Sequence, residues 1–218
     1  MGKGRTGFFH YVCDEFTSPY RFIYGIGIRI LENGKEEVFT IDGNTPEWKI
    51  IEKFRKFLKD NEIKNLIGWN VQRDIYGMPH IKSRSCNENF PKIKEIDLDN
   101  EIKFEESKIL TFLGITKIKQ LMILNNIDFH GDLYLSELLY AIRKGDISKI
   151  RVYISKRLRT LEKLHALLIN NQLKTDKTPK FYLKGIWYYI PKLIFLIFHK
   201  FYNIVLYLLS KLISGKKL

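Results

Sequence analysis

Residues 66–81 read LIGWNVQRDIYGMPHI, and this stretch decides the fold. The segment 65–69, which has no polar side chain after Asn65, predicts a short strand that is buried on both faces, as in sheets covered by helices on either side. Asn70 follows this strand directly, and Asp74 comes four residues later. One interpretation is purely structural: Asn70 caps the following helix, and Asp74 is an acid of its first turn that the helix dipole favours. The other interpretation, a functional site, depends on the rest of the chain.

Upstream of this stretch, the sequence predicts three antiparallel strands. The segments 8–16 and 21–30 are rich in aromatic and β-branched residues. Asn33-Gly34 then separates the second segment from 37–41, and Asn-Gly between two such runs is a strong hairpin signal.

Helices and two further strands complete the predicted order. Thr45 is the predicted N-cap and Pro46 the first residue of an amphipathic helix, with apolar residues at 50, 51, 54, 57 and 58. The segment 93–98 is predicted to be a strand, and helices are predicted near 98–112, 116–126, 133–144 and 147–172. The order β-β-β-α-β-α-β-α predicts an α/β layer structure with a mixed sheet.

This order and three local patterns resemble the RNase H-like fold of the DEDD superfamily of 3′→5′ exonucleases, of the proofreading type found in family B DNA polymerases. The resemblance covers about residues 7–170. It implies an Asp-x-Glu on the first strand, an Asn-x-x-x-Asp after a buried strand and a Tyr-x-x-x-Asp on a late helix. The four carboxylates of this family hold two divalent metals, one lowering the pKa of the attacking water and the other stabilising the leaving oxygen.

The second pattern is present, whereas the first is altered. Asn70 and Asp74 have the spacing of the family, so the resemblance implies that Asp74 is a former or present metal ligand. The first pattern aligns either as Cys13-Asp14-Glu15, which keeps the Glu, or as Asp14-Glu15-Phe16, which keeps the Asp. Because strand alternation directs the two acids to opposite faces, both cannot serve one site without a bulge. We favour the first alignment, in which Thr17 falls where the family often has a threonine.

The third pattern has a cation in place of its acid. Tyr153 is followed four residues later by Arg157, and a guanidinium cannot bind a divalent cation. The predicted remnant site therefore comprises Asp14, Glu15, Asp74 and Tyr153, with Asn70 in support and Arg157 pairing with Asp74 and Glu15. We expect no cofactor. If the site is active, Mg²⁺ or Mn²⁺ would be bound by Glu15 and Asp74.

The positive charge of the chain is concentrated in its last third. The net charge is +13, yet residues 1–147 hold 22 Lys and Arg against 22 Asp and Glu, and residues 148–218 hold 15 against 2. A basic segment on a neutral body indicates an anionic partner, either a phosphodiester backbone or a membrane surface. Cys13 and Cys86 have no metal-type spacing and suit a reducing cytosolic compartment.

The sequence predicts an RNase H-like domain at 1–172, a linker at 173–180 and a basic hydrophobic helical tail at 181–218. In the tail, the polar residues Lys192, His199, Asn203, Ser210 and Ser214 form one narrow helical stripe. Such a helix lies in a membrane interface anchored by aromatic residues at 187–189, spans the bilayer, or packs on protein. Spanning is disfavoured because Lys192, His199 and Lys200 interrupt the apolar run of about 18 residues that it requires.

The late helix carries cations that either face solvent or contact phosphates, namely Lys149, Arg151, Lys156, Arg159 and Lys163. The leading hypothesis is a catalytically degraded 3′→5′ exonuclease-like domain that binds nucleic acid or a protein partner. It would be cytoplasmic and peripheral at a membrane through 181–218. The alternatives are a weakly active metal-dependent 3′→5′ exonuclease and a structural membrane-associated protein.

Overall fold

The structure is a computed structural model, and it describes residues 4–13, 21–42, 45–74, 76–85, 89–112, 115–128, 135–178, 181–183 and 185–187. Its strands are β1 (Arg5–Cys13), β2 (Ile23–Ile30), β3 (Glu36–Thr40), β4 (Ile63–Gly68), β5 (Gln72–Arg73), β6 (Tyr76–Gly77) and β7 (Lys94–Asp97). Its helices are α1 (Glu47–Asp60), α2 (Met78–Ser83), α3 (Leu98–Glu101), α4 (Lys108–Phe112), α5 (Lys117–Leu124), α6 (Leu135–Arg143) and α7 (Ile147–Ile169). Within these ranges, no helix has both the length and the apolar character that a membrane crossing requires.

Five strands form a mixed sheet in the order β3-β2-β1-β4-β7, and β5 and β6 form a separate small hairpin. β1 pairs antiparallel with β2, and β2 with β3, whereas β4 runs parallel to both β1 and β7. The predicted turn between β2 and β3 is present, with Gly34 in the left-handed region at a φ of 67°. The predicted α/β class with a mixed sheet flanked by helices, of the RNase H-like type, is confirmed.

The sheet lies between two helical layers because the side chains of its strands alternate between its faces. In β1, Phe9 and Tyr11 belong to a buried apolar cluster that α1 completes. The neighbouring residues Phe8 and His10 have ring contacts with residues of α7. The chain therefore builds a three-layer α/β/α arrangement from one alternating strand.

Glycines in β2 let α7 approach the sheet closely. A Cβ on Gly27 would lie 2.2 Å from Cγ2 of Ile154, and one on Gly25 would lie 2.8 Å from Cδ1 of the same residue. With an approach this close, the side chain of Ile154 would have to shift to admit a larger residue at either position. The approach brings the polar side chains of α7 against β1.

Some local predictions were wrong. α1 begins at Glu47, with Pro46 rather than Thr45 at the cap position. The segment predicted as a helix near 98–112 contains two short helices, α3 and α4, with 102–107 between them in an irregular conformation. Asp97 ends β7 and caps α3 by accepting a hydrogen bond from the Asp99 N–H, so the strand passes directly into one helical turn.

The chain folds into two compact units. The first comprises Met1–Lys103 and Phe129–Leu173, and it contains the sheet, α1 and α7. The second comprises Phe104–Asp128 and Lys174–Leu218, so α4 and α5 group with the C-terminal segment. Within the second unit, Phe181 is buried, and a Cβ on Gly185 would lie 2.7 Å from Cδ2 of Leu110.

Candidate functional site

Polar groups of the first unit lie at one edge of the sheet, where the parallel strands β1, β4 and β7 have their carboxyl ends. Asn70 follows β4 there in the left-handed conformation, at a φ of 58°, which Asn tolerates better than most residues. Its N–H donates to Oδ1 of Asp97 over 2.9 Å. The structure thus places Asn70 directly after β4, held by an acid that was not among the predicted site residues.

Asp97 has a structural role that its place at the end of a strand could have indicated. It is only 5% exposed, and its Oδ1 accepts from the backbone N–H groups of both Asn70 and Asp99. A buried carboxylate that accepts two such bonds joins the two loops that leave β4 and β7.

The loop after Asn70 presents Asp74 to solvent. Asp74 is exposed and lies between the two short strands β5 and β6. The loop is anchored by the Met78 N–H, which donates to the Val71 carbonyl over 2.8 Å, and by the Gly77 N–H, which donates to the Tyr11 hydroxyl over 3.1 Å. The pairing of Asp74 with Arg157 and its assignment as a metal ligand stay predictions.

Arg157 and Tyr153 meet one turn apart on the sheet-facing side of α7. Arg157 is 7% exposed, and its Nε donates to the Tyr153 hydroxyl over 3.2 Å. The guanidinium carbon also lies 5.2 Å from the centroid of the Tyr153 ring, a cation–π distance. The cation four residues after Tyr153 is therefore buried. The pairing predicted between Arg157 and Glu15 involves a residue outside the described ranges, as does Asp14.

His10 completes a partly buried polar cluster with these two residues. Its ring centroid lies 5.7 Å from that of Tyr153, at an interplanar angle of 60°. Burial, together with the nearby charge of Arg157, lowers the pKa of His10 to about 3. Its Nε2 has no hydrogen-bond partner in the described structure. His10 is thus neutral at physiological pH, and only its place near the carboxyl end of the first strand could have suggested it.

The groups of this site that the structure describes do not by themselves provide the ligands for a pair of divalent metal ions. Among the residues that the structure describes, no three His, Cys, Asp or Glu side chains are grouped so that they could hold a metal ion. A buried guanidinium raises the electrostatic cost of placing a divalent cation beside it. The only acid of the predicted set that the structure describes, Asp74, is exposed to solvent.

Several cations predicted to bind nucleic acid are engaged by neighbouring groups. Lys149 pairs with Asp146 at 3.2 Å, and Arg159 lies 3.6 Å from Glu36. Arg151 is exposed, although its Nε donates to the Thr40 hydroxyl over 2.9 Å. Lys163 is exposed and Lys156 is half-buried. The helix therefore presents less unpaired charge than its sequence indicates.

A second basic surface lies on α1, and it was not among the predicted binding residues. We call it the α1 lysine row, and it consists of Lys49, Lys53, Lys56 and Lys59. All four are exposed, and they border a depression of about 460 Å³. The only arginine at this depression, Arg55, pairs with Glu52 at 2.8 Å. Spacings of four, three and three residues on an amphipathic helix were the available sequence signal.

Comparisons with known proteins connect the fold to a polymerase. No protein-family model and no curated protein matches the chain. Among solved structures, the chain is similar to the family B DNA polymerase from the hyperthermophilic archaeon Pyrobaculum calidifontis, with a TM-score of 0.53 and 15% identity. The match covers 77% of this chain and 25% of the polymerase, so this chain spans about a quarter of its length. At this identity the likeness concerns the fold alone, and it supports an exonuclease-like fold.

Proposed function

We propose that this chain is an exonuclease-like domain that no longer hydrolyses nucleic acid and acts by binding it. The burial of Arg157 at the position of the family's last acid carries this proposal. A permanent cation at this position opposes the binding of divalent metals, and it is stabilised there by the hydroxyl and ring of Tyr153. The polymerase likeness supports the fold of such a domain.

Binding would depend on the exposed cations of two helices on opposite faces of the sheet. The α1 lysine row offers four ammonium groups, and α7 adds Lys163 and Arg151. Lysines that contact phosphates release counterions, so the affinity would fall with salt. Exposed aromatic side chains for stacking bases are few on these helices, with Trp48 at the start of α1 being 46% exposed. This arrangement favours contact with the backbone over recognition of bases.

A nuclease assay tests the loss of hydrolysis. The full-length protein is incubated with end-labelled single-stranded DNA and RNA in magnesium or manganese, and we expect the strands to stay intact. Degradation that Asp74→Ala abolishes, but that an exchange of the exposed Asp60 for Ala leaves unchanged, would overturn the proposal in favour of a weakly active exonuclease.

We also propose that the tail at 181–218 holds the domain at an anionic membrane surface on the cytoplasmic side. The support is the sequence: residues 174–218 contain nine lysines and one acid among many apolar and aromatic residues. Vesicle flotation of the full chain and of a chain ending at residue 187 tests this proposal. Equal flotation of the two chains would contradict it.

A further inference from the structure

The second unit exposes apolar side chains on two segments that are adjacent in space. On α4, Ile109 is 59% exposed and Phe112 is 91% exposed, three residues apart and hence on one side of the helix. Leu110, between them in sequence, is fully buried. A surface helix normally shows the reverse distribution, with its large apolar residues directed inward.

The segment 181–187 also exposes large apolar side chains. Phe181 is buried and Gly185 faces Leu110 of α4, so this side of the segment packs inward. Leu183 and Trp187 are 57% and 69% exposed, and Ile186 is 38% exposed. We call the exposed group the apolar patch, and it comprises Ile109, Phe112, Leu183, Ile186 and Trp187.

Hydrogen bonds hold α4 in the conformation that presents Phe112. The fully buried Gln120 accepts from the Ser107 N–H over 2.7 Å and donates to the Ile115 carbonyl over 2.9 Å. It also donates to the Thr111 hydroxyl over 3.1 Å. One side chain thus ties the residues on both sides of Phe112 to α5, and the exposure of Phe112 belongs to a constrained segment.

Polar contacts likewise attach the beginning of the C-terminal segment to this unit. Asn125 and Lys174 exchange two hydrogen bonds, with the Lys174 N–H donating to Oδ1 over 2.7 Å and Nδ2 donating to the Lys174 carbonyl over 3.0 Å. Nζ of Lys177 lies 3.8 Å from Glu105 and 6.0 Å from the centroid of the Phe104 ring. The basic, apolar sequence of 188–218 therefore continues directly from the apolar patch at Trp187.

We propose that the apolar patch enters the interface of an anionic membrane, with Phe112 as an insertion point separate from the tail. This inference rests on the membrane function proposed above and adds a site on a different segment. Apolar side chains together with an aromatic anchor suit the boundary between headgroups and acyl chains. The lysines of 174–218 provide the charge complementarity to anionic lipid that favours this occupant over a protein partner.

Vesicle flotation of the full chain tests the site. The variant is Phe112→Ser, and the matched control is Tyr140→Ser, which removes an aromatic residue that is 59% exposed on α6 in the first unit. With vesicles of phosphatidylcholine and phosphatidylserine, we expect Phe112→Ser to partition about tenfold less than the wild type. Tyr140→Ser should partition like the wild type. Since Phe112 is almost fully exposed, its removal leaves the fold intact, which circular dichroism checks.

A fluorescent probe gives a second readout. NBD is attached to Phe112→Cys, or to Tyr140→Cys as the control, in a chain that also carries Cys13→Ala and Cys86→Ser. We expect the emission at position 112 to rise on addition of vesicles and that at position 140 to stay constant.

The outcomes separate this inference from the proposal on which it rests. If the wild type floats and Phe112→Ser floats equally well, the insertion point is refuted and membrane binding by the tail stands. If the wild type does not float, both are refuted. A probe at position 112 that is already shielded from iodide without vesicles would show that protein covers the patch, and would also refute the inference.

Discussion

The two faces of the sheet in the first unit differ in what they bury. Toward α1, the side chains of β1 and β2 join an apolar cluster that includes Phe9, Ile26 and Phe54. Toward α7, the same strands contribute glycines that lie against Ile154, and His10, whose ring contacts that of Tyr153. One strand therefore contributes to both a hydrophobic core and a partly buried polar cluster, because its side chains alternate. The first face carries the apolar core, and the second holds the cluster of His10, Tyr153 and Arg157.

The largest effect is expected from a substitution on the α1 face. Phe54 is fully buried, with ring centroids of Phe9 and Phe39 at 5.5 Å and 6.5 Å. Phe54→Ala should lower the free energy of unfolding by about 3–5 kcal/mol, since it removes apolar burial and leaves a cavity. Urea denaturation measures this loss. Val152→Ala, at a position 52% exposed on α7, is the control and should change the free energy by less than about 0.5 kcal/mol.

His10, on the face of the sheet toward α7, should make the free energy of unfolding depend on pH. In the folded protein its pKa is lowered to about 3 from 6.5, so between these values the unfolded chain binds a proton that the folded one does not. The free energy of unfolding therefore keeps its full value above about pH 6.5 and decreases as the pH falls from 6.5 towards 3.

A variant without the imidazole of His10 isolates this contribution to the pH dependence of stability. Between about pH 7 and pH 5, we expect the wild type to lose about 2 kcal/mol more than His10→Phe, which keeps a ring beside Tyr153. Urea denaturation at both pH values measures the difference. Equal losses in the two proteins would show that His10 can be protonated in the folded state.

Removing the charge of Arg157 should raise the pKa of His10. Burial is the first cause of the low pKa of His10, and the charge of Arg157 is the second. Arg157→Met should therefore raise the pKa of His10 without returning it to 6.5. NMR titration of the imidazole signals measures the shift, with Arg159→Met, an exposed position on the same helix, as the control. An unchanged pKa would mean that Arg157 does not act on His10 electrostatically.

The sequence predicted the sheet well because its signals are local. The Asn-Gly turn indicates the hairpin of β2 and β3, and the apolar run before Asn70 indicates the buried strand β4. His10 was missed because its burial and its neighbour Arg157 are set by the packing of α7 across β1, two elements from opposite ends of the first unit's sequence. The break between α3 and α4 was missed because the irregular segment between them lacks Gly and Pro, the usual punctuating residues.

The smallest expected effect is on the salt dependence of nucleic-acid binding, and it compares an exposed lysine of α1 with one of α7. If the α1 lysine row contacts the phosphates of a single strand, Lys53→Gln should remove one cation and reduce the slope of log K against log salt by about 0.7. Lys163→Gln makes the same charge change on α7, beyond the opposite face of the sheet. Fluorescence anisotropy with a labelled single strand measures both slopes. A change in Lys53→Gln alone would assign binding to the α1 layer, and a change in Lys163→Gln alone to the α7 layer. Two unchanged slopes would exclude both lysines from the phosphate contacts, and the proposed binding surface would be wrong at these positions.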